Sequence, residues 1–167
     1  MTTITTRLAT TADAPTVHAI TQAAFDTLRG EIDPPSSAHL ETVEAVATAL
    51  VSGGAGIAEI GGEPVGAVRF RSAGDHLYVG RVAVDPACRG LGVARALMAF
   101  AERHAALAGI PETRLEVRRT LTGNVAMFER LGYAVVAKYP HPRRSDAGVL
   151  LLAKPIKLDA HGESIDD

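Results

Sequence analysis

One segment constrains this chain more than any other: Val82-Ala83-Val84-Asp85-Pro86-Ala87-Cys88-Arg89-Gly90-Leu91-Gly92-Val93-Ala94-Arg95. A β-branched run ends at Asp85-Pro86, a pair that stops a strand. A glycine-rich loop follows. The strongest helix pattern in the sequence comes next, Gly92 to Leu107, with Val93, Leu97, Phe100 and Leu107 on one side and Ala94, Met98, Ala101 and Ala105 on the adjoining one. Gly109 is placed to stop it. The first amides of a helix have no internal partner and carry the positive end of the helix dipole. Glycines before them let a ligand approach the backbone closely, so the segment reads as an anion cradle.

Three ligand classes use such a cradle. The P-loop pattern G-x-x-x-x-G-K-[ST] is absent, and counting G-x-G-x-x-G from Gly90 puts Arg95 at the third glycine, so the dinucleotide fingerprint fails. The pyrophosphate of coenzyme A is the third. Elsewhere there is no G-x-S-x-G, and the histidines His18, His39, His76, His104, His141 and His161 show no metal spacing, so no metal is expected. Cys88 is the lone cysteine and reads as an inert loop residue.

The rest of the chain alternates between strand and helix signals. Thr5 to Leu8 is a short first strand, and Asp13 looks like the cap of a helix to about Leu28 that presents Ala14, Val17, Ile20 and Ala24. After the break Asp33-Pro34-Pro35-Ser36-Ser37, Ser37 is expected to cap a second helix to about Leu50 through Leu40, Val43 and Ala47. Strands are expected at Gly56–Ile60 and Pro64–Phe70 around the turn Gly61-Gly62-Glu63, and at Leu77–Val84, where Gly80 marks a bulge. Thr113–Arg118 is a fifth strand, Asn124–Leu131 a short helix, and Tyr133–Tyr139 and Gly148–Ala153 two last strands. This is a mixed α/β domain with one central sheet. We place it at residues 4–156, with residues 157–167 a flexible acidic tail.

Composition narrows the class further. Aromatic residues make up 4% of the 167 residues and Trp is absent, so the core must be built from Ala, Val, Leu and Ile. The net charge of -2 argues against nucleic-acid binding. Residues 1–80 carry 4 basic and 9 acidic residues and residues 81–167 carry 13 and 10, so an anion is better received by the second half. No secretory signal and no apolar run of membrane length is present, which points to a cytoplasmic protein without a membrane partner.

The glycine loop and its setting resemble the GNAT superfamily of N-acetyltransferases. The family signature is [QR]-x-x-G-x-[GA] after a strand ending in Val-x-Pro; here Arg89-Gly90-Leu91-Gly92-Val93-Ala94 follows Val84-Asp85-Pro86, and the resemblance extends from about Thr5 to Ile156. It implies a largely antiparallel sheet, splayed between strands 4 and 5 and flanked by about four helices. It implies acetyl-CoA as cosubstrate, with the pantetheine arm on the backbone of Val82, Ala83 and Val84 and the pyrophosphate on the amides from Gly90 to Arg95, including Leu91, Gly92, Val93 and Ala94. Arg89 and Arg95 are candidates to meet phosphates. The expected reaction is direct attack by a primary amine in a ternary complex. The acceptor would be a small molecule or a peptide, and the family allows a homodimer.

The match has gaps. Many members carry N-x-x-A-x-x-[LI]-Y-E after the fifth strand, whose Tyr protonates the leaving thiolate. Aligning on Glu129 and Leu131-Gly132 puts Phe128 at that Tyr and Leu121 at the Asn. Asn124 either reaches the cofactor or caps its helix. The general acid and base therefore stay open among Tyr78, His76, Glu116 and Tyr133. Phe128 also motivates a rival reading, a non-catalytic acyl-CoA sensor. A third reading is an unrelated nucleotide-binding α/β protein. The resemblance also implies that the loop with Glu31 and Asp33 and the connection with His141 and Arg143 border the acceptor pocket, where the acids would draw a cationic amine and His141 and Arg143 touch substrate; the alternative is that both are solvated turns.

Overall fold

The computed structural model describes residues 2–158, apart from the side chains of Ser145 and Asp146. All but the first two residues of the expected tail lie outside the described residues, as does His161. Seven strands form one sheet in the order β1-β2-β3-β4-β5-β7-β6. They are β1 (Ile4–Leu8), β2 (Gly54–Ile60), β3 (Glu63–Ser72), β4 (Leu77–Val84), β5 (Glu112–Arg118), β6 (Ala134–His141) and β7 (Arg144–Pro155). The helices are α1 (Ala14–Asp26), α2 (Val43–Ser52), α3 (Val93–Leu107) and α4 (Thr122–Arg130). Every strand pair is antiparallel except β4–β5. The mixed α/β sheet with four helices is the fold class that the sequence implied.

The scarcity of aromatics is met by close packing of small residues. On one face, Ala55, Ala67 and Ala83 let α1 and α2 settle onto the sheet through Val17, Ile20, Ala24, Val46 and Leu50. On the other, Val68, Phe70, Leu77 and Val79 meet Leu97, Met98, Ala101 and Ala105 of α3. Three glycines, Gly54, Gly56 and Gly66, hold space on this second face for Phe70, Phe100 and Val93. The β2–β3 hairpin turns on two residues, Gly61 and Gly62, both at positive φ (59° and 82°), as the twist of a tight hairpin requires.

Several local readings need correction. Asp13 precedes α1, but its carboxylate points backward, accepting from the Thr10 amide at 2.7 Å and pairing with Arg7 at 2.9 Å. The second expected helix divides: Ser37–Leu40 is a 3₁₀ turn capped by Ser36, and α2 starts after Thr42, whose hydroxyl accepts from the Ala45 amide. Leu40 is consequently 80% exposed. In α3, Leu107 is 69% exposed, because the buried side follows Val93, Leu97, Met98, Ala101 and Ala105.

Gly66 sets how closely α3 lies on the sheet. A Cβ there would stand 2.6 Å from Val93 Cγ1 and 3.0 Å from Leu97 Cδ1, at the first turn of the helix. Gly66→Val should therefore cost about 1–3 kcal/mol by overpacking, read by urea denaturation. The same variant should weaken coenzyme A binding, read by calorimetry, because it lifts the start of α3. Unchanged stability would show that the helix is free to shift.

Candidate active site

The sheet opens at its centre. β4 and β5 pair in parallel only at Leu77–Thr113 and Tyr78–Arg114. Beyond Tyr78 the β5-facing edge of β4, from Val79 to Val84, has no strand partner among the described residues. The cause lies in β4. Arg69 is opposite Gly80 and Ala67 opposite Ala83, so two β4 residues, Arg81 and Val82, face Val68 alone. Such a bulge sharpens local twist and bends the strand. Arg81 holds φ 50°, and is the one described non-glycine residue at positive φ. The sequence placed the bulge at Gly80; it falls one residue later, at Arg81 and Val82, and its strained residue is an arginine.

A cleft of about 1100 Å³ runs from this opening to the start of α3. At that end Gly90 (φ 79°) and Gly92 (φ 91°) adopt backbone that favours glycine, and Gly92 caps α3. The first helical bond runs from the Ala96 amide to the Gly92 carbonyl at 3.1 Å, so the amides of Val93, Ala94 and Arg95 precede it. Val82, Val84, Gly90, Gly92, Ala94 and Arg95 all line the cleft. Arg89 lines it too, but its guanidinium is spent on α1, donating to the Ala24 carbonyl (3.3 Å) and the Thr27 hydroxyl (3.1 Å). Leu91 is exposed, Ala83 is turned into the α1 face of the core, and Cys88 packs partly buried against the other.

On the opposite wall, α4 begins at Thr122, earlier than its periodicity suggested, so Asn124 sits in the first turn, exposed and lining the cleft, and does not cap the helix. Phe128 is 5% exposed and touches both cleft and core, with its ring edge-on to Tyr133 at 6.0 Å.

The four acid–base candidates separate. Tyr78 and Glu116 line the cleft, on β4 and β5 either side of the opening. Burial holds the Tyr78 phenol above its ordinary pKa and the Glu116 charge adds to this, so the hydroxyl stays protonated. Tyr139, missed at the sequence level, reaches Glu116: burial and then its hydrogen bond to that carboxylate raise its pKa well above normal. His76 and Tyr133 are not in the cleft walls. His76 is bonded to Asp75 at 2.8 Å in the β3–β4 turn. The Tyr133 hydroxyl lies 2.9 Å from the Thr113 hydroxyl and donates to Glu102 at 3.0 Å, and burial keeps it protonated.

The loop between α1 and α2 also departs from expectation. Glu31 and Asp33 line a smaller neighbouring cavity of about 240 Å³, and Asp33 pairs with Arg144. Glu41, not singled out from sequence, is the carboxylate that organises this side. It receives Arg69 at 2.7 and 2.8 Å and lies 3.9 Å from Arg81, whose other nitrogen donates to Ser37 at 3.0 Å. His141 and Arg143 do line the cleft, as expected.

A family model described as the acetyltransferase (GNAT) family matches residues 18–133. The chain belongs to that family, and membership makes it an acetyl-CoA-dependent acyltransferase. Among solved structures it is similar to the ribosomal-protein-S18-alanine N-acetyltransferase of Escherichia coli, at 20% identity, with 98% of this chain and 100% of that one covered and a TM-score of 0.74. The PaiA N-acetyltransferase of Thermoplasma acidophilum, solved with coenzyme A, aligns at 16% identity over 92% and 99% with a TM-score of 0.77. The ribosomal-protein-alanine N-acetyltransferase of Brucella melitensis aligns at 18% identity over 91% and 99% with a TM-score of 0.75. These likenesses establish the fold. No curated protein sequence matches. Among the described residues no helix is long and apolar enough to cross a membrane, and no group of side chains is arranged to hold a metal.

The glycine cradle is open to a direct test. Gly92→Ala carries the cost of φ 91° alone, whereas Gly92→Glu adds a carboxylate where the anion would sit. Calorimetry should show weakened coenzyme A binding in the first variant and none in the second. Equal affinities would move the pyrophosphate elsewhere.

Proposed function

We propose that this protein transfers the acetyl group of acetyl-CoA to a primary amine by direct attack in a ternary complex. One observation carries the reading. The unpaired edge of β4 and the unpaired first amides of α3 open into a single cleft, which also holds Tyr78 and Glu116. The residues suit the cosubstrate: a strand edge without a partner accepts the pantetheine amides as an added strand, and a helix start with left-handed glycines accepts a pyrophosphate. The edge residues are Val82, Ala83 and Val84, the pyrophosphate amides those from Gly90 to Arg95, and Asn124 and Phe128 border the thioester from α4. Acetyl-CoA supplies an activated carbonyl.

The chain then has three tasks. It holds the amine in line with the carbonyl. It offers a backbone N–H to the developing oxyanion, from the β4 edge that β5 leaves unpaired. It moves protons: Glu116 takes one from the attacking amine, directly or through water, and the Tyr78 hydroxyl gives one to the departing thiolate as the C–N bond forms and the C–S bond breaks. Tyr139 keeps the Glu116 carboxylate oriented. Tyr78 stands in for the hydroxyl that Phe128 lacks.

Thiol release over a panel of amines tests the activity itself. Tyr78→Phe should lower kcat about 10- to 100-fold and leave coenzyme A affinity intact, and Glu116→Gln should lower kcat/KM to a similar degree. Phe128→Tyr discriminates between the walls. If that variant alone raises kcat tenfold or more, the acid position belongs to α4 and Tyr78 does not fill it.

A further inference from the structure

The far end of the cleft is charged in a way that acetyl transfer alone does not require. Past the bulge its walls carry Arg69, Arg71, Arg81, Arg118 and Arg143, against a single lining carboxylate, Glu116. Some of these cations are already placed. Arg69 and Arg81 share Glu41. Arg71 lies over the Tyr78 ring, 4.8 Å from its centroid. Arg118 is different. Among the described residues its guanidinium makes no hydrogen bond and no ion pair; its charged neighbours are Arg143, which repels it, and Asp33. Asp33 is itself paired with Arg144.

Arg118 closes β5 and lines both the main cleft and the smaller cavity beside it. Opposite stands the β6–β7 turn. There the Arg143 amide donates to His141 Nδ1 at 3.1 Å, and the Arg143 side chain donates to the Pro35 carbonyl at 2.7 Å. Arg144 pairs with Asp33 on the same loop, so the loop before α2 and the β6–β7 turn are tied together over this end of the cleft. The tie holds Arg143 on the cleft wall that Arg118 also lines, near enough for the two charges to repel. Holding two guanidiniums together costs energy unless an anion joins them, and their planar forks suit carboxylate and phosphonate oxygens. Burial and both arginines hold the His141 pKa below its ordinary value, so a neutral imidazole N–H is available beside them.

We infer that the acceptor is a small amine that also carries an anionic group, a carboxylate or a phosphonate, seated between Arg118 and Arg143 while its amine points back past Glu116 toward the opening in the sheet. The inference rests on the acetyl-transfer reading for the identity of the amine, but the anion subsite stands on the arginines alone. It also replaces the cationic attraction expected from Glu31 and Asp33, which face the other cavity.

The test uses the full-length protein saturated with coenzyme A or acetyl-CoA. The probes are free L-amino acids, ω-amino carboxylates and aminoalkylphosphonates, each beside its uncharged amide or ester, together with simple diamines. Calorimetry reads binding and thiol release reads turnover. At least one anion-bearing amine should bind and react with kcat/KM about tenfold or more above its uncharged counterpart. Arg118→Ala and Arg143→Ala should each raise its KM about tenfold or more while coenzyme A affinity holds, and Arg118→Lys should recover part of the loss. The carboxylate and phosphonate arms tell which anion the site takes. Preference for diamines or uncharged amines would overturn the inference and leave acetyl transfer standing. Arg118-dependent binding of an anionic amine without turnover of any amine would do the reverse. Failure of every anionic amine either to bind or to react would overturn the subsite. Should Arg118→Ala misfold, the Arg143→Ala and Arg118→Lys variants carry the same KM comparison.

Discussion

The structure depends on a sheet that is not allowed to close. Two adjacent parallel strands ordinarily pair along their length, because unpaired buried backbone groups are costly. Here β4 and β5 pair at two positions and then part. The extra residue at Arg81–Val82 turns β4 away, and Arg81 is held in that strained backbone by its side-chain bonds to Ser37 and toward Glu41. Strain of this kind persists only where the surroundings over-determine it. The charged group under β4 is therefore part of what keeps the cleft open, and the same arginine spans backbone architecture and site electrostatics.

The position of α3 follows from the same requirement. The helix must begin where β4 ends, with its first amides facing the opening. Gly66 lets Val93 descend onto β3, and Gly92 turns the chain at positive φ into the helix. Both glycines act by what they leave out, one a side chain and the other a steric limit on φ.

The glycine loop, α3, the β2–β3 turn and the order of elements were legible in the sequence because each is encoded within a dozen neighbouring residues. What escaped depends on partners far along the chain. Gly80 signalled an irregular strand, but the bulge falls at Arg81 because of β3's register. Glu41 carries no signal in its local sequence, and its role appears only when Arg69 and Arg81 are brought beside it. Tyr78 and Tyr133 both offer a hydroxyl in sequence. The pleat of β4 puts one in the cleft, while Thr113 and Glu102 hold the other in the core. Glu31 and Asp33 misled because local acidity says nothing about which cavity a loop faces.

The two ends of the cleft are built from different materials, and this explains why one function is readable and the other is not. The end at the start of α3, which we assign to the donor, is made of main chain: a strand edge without a strand partner among the described residues, helix amides and glycines. Side chains there can vary widely without altering the backbone groups on offer. The other end, which we assign to the acceptor, is made of side chains drawn from β3, β4, β5 and the β6–β7 turn, so a single substitution changes its charge. Family resemblance therefore transmits the donor site and carries no information about the acceptor. Acceptor chemistry has to be read from this chain's own cations, and Arg118, which has charge and no bonded partner among the described residues, is where that reading begins.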